Sequence, residues 1–217
     1  MTQSIKQSSL WFPLLLAGCF QVQAETLTVG SFSSEGLNNW KQHSFRGETN
    51  YRTIIRDGRQ VIRAESSESA SVLFRELAVD LERTPYLNWS WRVDNIIPGL
   101  AERTKPGDDY PARIYIVTED GLFPWQSKAV NYVWAGSLPK ETRWSSAFTD
   151  SSLMIAVRSG DSEVNRWVQE KRNVKTDFRQ FLGKPIRYIS MIALMSDTDN
   201  SGASVSAEYG DIYFSSE

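Results

Sequence analysis

Short runs in which apolar and polar residues alternate, each closed off by a cluster of turn formers, constrain this chain more than any other feature. In Leu87-Asn88-Trp89-Ser90-Trp91-Arg92-Val93 the odd positions are apolar and the even ones polar. Side chains on a strand point alternately to its two faces, so this pattern describes a strand with one face buried and the other wet. Further β-rich runs lie at 61–64, 72–77, 113–118, 131–135, 153–157, 167–174, 188–195 and 205–214. Between them stand Asp57-Gly58, Pro98-Gly99, Lys105-Pro106-Gly107-Asp108-Asp109, Asp120-Gly121, Ser159-Gly160 and the stretch 197–202, residue types that supply turn dihedrals. About nine short strands read as an all-β, antiparallel β-sandwich, most simply jelly-roll-like. One short helix is expected near 176–183, with Phe178, Phe181 and Leu182 on one face, Asp177 near its start, and Gly183 and Pro185 at its end.

Before this β-rich region, a short polar stretch with Lys6 precedes the apolar run 10–18, which is too short to span a bilayer and suits an export signal. Two cleavage readings compete. Leu16-Ala17-Gly18-Cys19 has the form of a lipobox, with the leader ending at 18 and Cys19 carrying a lipid anchor. Val22-Gln23-Ala24 has the small-x-small form of an ordinary signal peptidase site, with a leader of 1–24. Either way the expectation is an exported protein, periplasmic or anchored to the outer membrane, with a single domain over 25–217. Cys19 is the one cysteine, so no internal disulfide supports that domain. Past the leader no apolar run reaches transmembrane length, and a net charge of -2 gives no field that would draw nucleic acid.

Four motifs, in order, are Gly107-Asp108-Asp109-Tyr110-Pro111-Ala112-Arg113-Ile114-Tyr115, the strand Asn131-Tyr132-Val133-Trp134-Ala135, the run Glu170-Lys171-Arg172-Asn173-Val174 leading into Asp177-Phe178-Arg179, and Asp197-Thr198-Asp199-Asn200-Ser201-Gly202 followed by Tyr209-Gly210-Asp211-Ile212. Their combination over 107–212 resembles an exported bacterial family catalogued as domain of unknown function 3047, which implies no activity. A second resemblance, to carbohydrate-binding jelly rolls, rests on the opening 32–40 and the closing Gly210-Asp211-Ile212-Tyr213-Phe214. It implies a jelly-roll fold and a structural calcium shared by Glu35 and Asp211.

The loop after 195 also meets a calcium pattern. Counting from Asp197, Asp199 is third, Ser201 fifth, Gly202 sixth and Glu208 twelfth, the spacing of an EF-hand loop. The flanking runs read as strands where an EF-hand needs helices, which favours a plain turn and leaves calcium as the alternative; no other cofactor is expected. Asp108, Asp109 and Arg113 either anchor their turn or present charge to a ligand. Glu170, Lys171, Arg172, Asn173 and Asp177 form another polar group at the strand-to-helix junction, of which Glu170, Arg172 and Asn173 are the candidate ligand contacts. Trp89 and Trp91 belong to the buried face of their strand. Trp125, Trp134 and Trp144 are the candidate rings for stacking on sugars.

Several chemistries drop out. His43 is the single histidine, so a His-rich zinc site is excluded, and so is a Cys-His nucleophilic pair. No nucleophile elbow, phosphate loop or dinucleotide fingerprint is present. The resulting expectation is a noncatalytic envelope domain that binds a glycan or similar polar ligand. The alternatives are a carbohydrate-active enzyme drawing a carboxylate pair from Asp108, Asp109, Glu170, Asp197 and Asp199, or an envelope scaffold component. A glycan site built from these residues requires the acidic loops and Trp125 or Trp144 to share one concave surface. Nothing in the sequence fixes an oligomeric state.

Overall fold

The structure, a computed structural model, describes residues 24–119 and 127–217; Cys19 and Trp125 lie outside the described residues. Strands β1 Thr26–Gly30, β3 Asn50–Arg56, β4 Arg59–Ser67, β6 Tyr86–Val93, β11 Val168–Asn173 and β13 Ser204–Ser215 form one sheet in the order β11-β6-β13-β4-β3, with β1 also paired to β13. Strands β2 Lys41–Arg46, β5 Ala70–Asp80, β7 Arg113–Glu119, β8 Ser127–Ala135, β9 Arg143–Ser145, β10 Ser152–Ser159 and β12 Tyr188–Asp197 form the other, ordered β2-β5-β12-β7-β8-β10-β9. The two sheets face each other as a β-sandwich. Among the described residues two α-helices accompany them, a single turn α1 at Phe32–Glu35 and α2 at Val174–Leu182, with a 3-10 turn at Lys105–Gly107. Among the described residues no helix is long and apolar enough to cross a membrane.

Strand β6 shows how the sequence directs the packing. Leu87, Trp89, Trp91 and Val93 are buried, while the intervening residues stay partly exposed. Across the sandwich, β8 sends Val130, Tyr132 and Trp134 inward. The rings meet between the layers: Trp89 stacks on Tyr132 with centroids 5.5 Å apart, Trp91 lies 5.9 Å from Trp134, and Trp89 and Trp91 are edge to face at 5.4 Å. Offset and edge contacts of this kind add to the burial of large apolar surfaces. Trp134 Nε1 donates to the Gly160 carbonyl (3.0 Å), which satisfies its one polar atom in the interior.

Helix α2 closes one side. Asn173 caps it, its side chain accepting from the Thr176 N–H (2.9 Å), and Gly183 ends it in the left-handed region at φ 70°. The buried carboxylate of Asp177 accepts from Tyr132 Oη (2.9 Å), Arg143 (2.7 Å) and Arg172 (3.1 Å), tying the helix to strands of both sheets. Burial holds the Tyr132 phenol well above its ordinary pKa, so it remains a donor.

One pairing departs from the antiparallel expectation. β8 and β10 run parallel, and residues 136–151 form the crossover, with β9 laid antiparallel along the far edge of β10. The crossover and the segment before β7 cover the outer face of the seven-stranded sheet, burying Tyr110, Val133, Trp144, Met154 and Ala156 in a second apolar cluster. Glu102 fixes this cover. Its carboxylate accepts from the backbone N–H groups of Gly136 (2.8 Å), Ser137 (3.1 Å) and Leu138 (2.9 Å).

Trp91→Ala is expected to lower unfolding free energy by about 3–5 kcal/mol, the cost of deleting a large buried aromatic side chain. Urea unfolding followed by circular dichroism measures it. A loss under about 1 kcal/mol would contradict the central place given to these rings.

Candidate functional site

The alternation that turns Trp89 and Trp91 inward turns Asn88, Ser90 and Arg92 onto the outer face of the six-stranded sheet. The register aligns that face in rows. Lys171 on β11 is opposite Asn88 on β6, which is opposite Tyr213 on β13. One step along, Gln169 is opposite Ser90, which faces the irregular stretch of β13 between Tyr209 and Ile212 that holds Gly210. The next row is charged: Arg92, Glu208, Arg63 and Arg52 stand side by side on β6, β13, β4 and β3. The middle row lacks bulk. Gly210 has no side chain, and a Cβ there would run into Ser90 Oγ. The result is a groove of about 990 Å³, with small residues in its floor and longer ones, including Trp167, Tyr213, Arg56 and Arg59, around it.

The groove's surroundings are held by fixed charges. Glu208, with no exposed surface, accepts from Arg56 Nε (3.0 Å) and from Arg63 (2.9 Å), anchoring the Arg56 guanidinium at the rim. Asp57 (φ 50°) and Gly58 (φ 76°) both take positive φ, the requirement of a type I′ turn, and close the β3–β4 hairpin beside Arg56. Asp211 accepts from the N–H (2.8 Å) and Oγ (2.6 Å) of Ser33, tying β13 to α1. Glu170 accepts from Arg158 (2.5 Å) and Trp91 Nε1 (3.3 Å).

The residues singled out in the sequence are scattered over the molecule and do not share one surface. Asp108, Asp109, Arg113 and Asp197 are buried under the cover of the seven-stranded sheet, on the opposite side of the molecule from the groove. Arg113 Nε donates to Asp197 Oδ1 (2.8 Å), and a second guanidinium nitrogen reaches Asp197 Oδ2; the Tyr110 ring lies 4.8 Å from the guanidinium carbon. Asp109 accepts from the N–H groups of Asn200 (3.3 Å) and Ser201 (2.6 Å). Desolvation raises the Asp108 carboxyl above its ordinary pKa, opposed by the charge of Arg113.

Glu170, Arg172 and Asn173 lie together on β11. Arg172 pairs with Asp177 and Glu141, and Asn173 serves as a helix cap, so only Glu170 reaches the groove.

Two expectations are corrected. Trp134 is wholly buried and Trp144 is 8% exposed, so neither offers a ring face to a ligand; one belongs to the central aromatic packing and the other to the second cluster. The EF-hand spacing also fails as geometry. The loop joins strands β12 and β13, and Glu208 projects from the far sheet into an arginine cluster. Carboxylate oxygens of Asp109, Asp197 and Asp199 do lie within 4.8 Å of one another. Yet Arg113 already occupies both oxygens of Asp197, and loop N–H groups occupy Asp109, so a cation there would have to displace an internal one. Of the residues implied to share a calcium, Asp211 accepts from the N–H and Oγ of Ser33.

Lys171 belongs to the polar group read at the strand-to-helix junction, but the groove residues Trp167, Tyr213, Asn88, Gln169 and Arg59 were not singled out by the sequence. Their signal was the polar half of the alternation, which marks an outward face without saying that it is concave. Chemically, the groove combines the rings of Trp167 and Tyr213, the side-chain amides of Gln60, Asn88 and Gln169, and charged groups of both signs around a shallow floor.

Residues 38–213 match a family described as Protein of unknown function (DUF3047). No curated protein matches the chain. Among solved structures, a Family 11 carbohydrate-binding module from Clostridium thermocellum in complex with a mixed-linked tetrasaccharide is similar at 9% identity and TM-score 0.46, covering 87% of this chain and 94% of that one. A thermostable cellulase derived from the Cel12A cellulase of Rhodothermus marinus is similar at 11% identity and TM-score 0.49, covering 89% and 100%. A Family 29 carbohydrate-binding module complexed with cellulohexaose gives 9% identity and TM-score 0.43, covering 90% and 94%. At TM-scores below 0.5 these neighbours transfer no activity to this chain.

Asp197→Ala is expected to cost about 3–5 kcal/mol in urea unfolding, because it leaves Arg113 buried without its two-pronged partner. Asp108→Asn should cost far less, since Arg113 keeps Asp197 and the Asp108 backbone carbonyl (3.0 Å). Asp108 also carries a pH dependence. The folded Asp108 carboxyl holds its proton to a higher pH than the unfolded one. The folded state therefore binds more protons between the ordinary and raised values, and this group makes stability rise as pH falls through that window. Because Glu65 and Asp80 are shifted the opposite way by their arginine partners, the readout is the difference: the parent's urea midpoint minus that of Asp108→Asn should increase as pH falls through that window.

Proposed function

The chain belongs to the DUF3047 family, and from that premise we propose that it is a noncatalytic domain that binds a glycan in the groove on the outer face of the six-stranded sheet. The observation that carries this reading is the placing of half-buried Trp167 and 41%-exposed Tyr213 around a floor emptied by Ser90 and Gly210, with Asn88 and Gln169 beside it. A pyranose ring has an apolar C–H face and a rim of hydroxyls. Aromatic rings meet the first, and amides, which donate and accept at once, meet the second. With the leader read at 1–24 or a lipid anchor at Cys19, the proposal places this binding in the bacterial envelope.

Binding without hydrolysis is favoured by how the groove's carboxylates are engaged. Glycoside chemistry needs two carboxyl groups flanking the bond, one delivering a proton and the other attacking or activating water. Of the groove's carboxylates, Glu170 is held by Arg158 and Trp91 and Asp211 accepts from Ser33, which leaves Asp57 on the β3–β4 turn as the one among the described residues without a bonded partner, where hydrolysis needs a pair. Asp108, Asp109 and Asp197, three of the alternative carboxylates, are buried on the far side of the sandwich.

Trp167→Ala and Tyr213→Ala are each expected to weaken polysaccharide binding by about tenfold, the equivalent of about 1.4 kcal/mol, while leaving the circular dichroism spectrum unchanged. Affinity electrophoresis through gels containing a bound polysaccharide measures the loss. Parent-like retardation of both variants would remove the groove as the binding site.

A further inference from the structure

The groove carries charge of both signs in equal number: Arg56, Arg59 and Lys171 against Asp57, Glu170 and Asp211. The balance survives when internally paired groups are set aside. Arg56 is tied to Glu208 (2.5 Å), which Arg63 shares, and Glu170 to Arg158 (2.5 Å), which Glu163 shares, so one groove charge of each sign belongs to a cluster outside the groove lining. What remains is Arg59 and Lys171 against Asp57 and Asp211. Among the described residues Arg59 and Asp57 have no ion-pair partner; Lys171 lies 4.9 Å from the Tyr86 ring, and Asp211 is met only by the neutral donors of Ser33.

Resting on the reading of the groove as a glycan site, we infer that its occupant is an uncharged polysaccharide segment. Adjacent strands lie about 4.8 Å apart, so the two strands' separation between Lys171 and Asp211 is about 10 Å, comparable with the screening length of physiological salt. A sugar carboxylate, sulfate or ammonium in the groove therefore lies near free charges of both signs and gains no net attraction. The chain's overall charge of -2 adds no long-range pull on a polyanion. A hydroxyl uses both signs. It accepts from Arg59 or Lys171 and donates to Asp57 or Asp211, and hydrogen bonds to charged partners are stronger than those between neutral groups.

The test is affinity electrophoresis of the purified protein through neutral polymers (galactomannan, β-glucan, xylan, dextran), acidic ones (polygalacturonate, alginate) and a basic one (chitosan). Retardation by at least one neutral polymer is expected, with apparent Kd changing less than about twofold between about 50 and about 500 mM sodium chloride. Tighter binding to an acidic or basic polymer, weakening about tenfold or more over that range, overturns the inference while leaving the glycan site standing. Retardation by none of them overturns both. A second arm uses Asp57→Asn. Asparagine tolerates the positive φ at this turn, so the hairpin is kept while the groove becomes net positive. The variant is expected to gain retardation by polygalacturonate that the parent lacks; no gain means that charge balance does not select the ligand.

Discussion

The contact on which the rest of this molecule depends is the meeting of Trp89 and Trp91 with Tyr132 and Trp134 between the two sheets. Four large rings from one strand of each layer fill the middle of the sandwich and fix how β6 lies over β8. A strand cannot choose its two faces independently. Once the odd positions of β6 are committed to the interior, Asn88, Ser90 and Arg92 must line the exterior, and their neighbours across the register must join them. The groove is thus the outward consequence of the same commitment that makes the core, and a slip of one residue in β6 would destroy both together.

Charged groups secure what the rings leave open. At the seam between β11 and the opposite sheet, Glu170 bonds Arg158 and Asp177 gathers Arg143, Arg172 and Tyr132. Beneath the cover of the seven-stranded sheet, Arg113 grips Asp197 while the Tyr110 ring lies over it. Buried ion pairs gain little net stability, because desolvation offsets most of the attraction, but a mispaired arrangement costs several kcal/mol. Such pairs therefore discriminate between registers and loop positions more than they strengthen the native one. Most of the motifs behind the family resemblance occupy these places, in anchor, seam and core, so the family signature reports mainly on how the chain folds.

Strand positions with one wet face were the legible part of the sequence. Every run read as β-rich lies within or largely overlaps a strand, and the helix expected near 176–183 is found at Val174–Leu182. Strands β1, β2 and β3 were missed for a physical reason: β1 has five residues, of which only Val29 and Gly30 are buried. β2 is exposed at every position and β3 buries little beyond Tyr51, so neither carries a burial rhythm to detect. β9 has three residues, too few for any period. The parallel β8–β10 pair was illegible because alternation records which face is buried and says nothing of strand direction. In the candidate site the error ran the other way. Charged motifs and isolated tryptophans drew attention to Asp108, Arg113, Trp134 and Trp144, all of which are buried. Residue type signals chemistry only when exposure is known, and exposure at these positions depends on long-range cover.

That cover also explains why the groove lies where it does. Both sheets have an outer face that alternation leaves available for ligand. On the seven-stranded sheet, Val133, Met154 and Ala156 face outward and are apolar, so that side must be roofed; residues 97–112 and the β8–β10 crossover, clamped through Glu102, do so. On the six-stranded sheet the corresponding positions are Asn88, Ser90, Gln169 and Lys171, which need no roof. The charged row around Glu208 builds up one side of that open face with interlocked arginines, while Ser90 and Gly210 leave the neighbouring row low. Concavity on this face arises from the contrast between adjacent rows of side chains, and it exists only because nothing apolar there required covering.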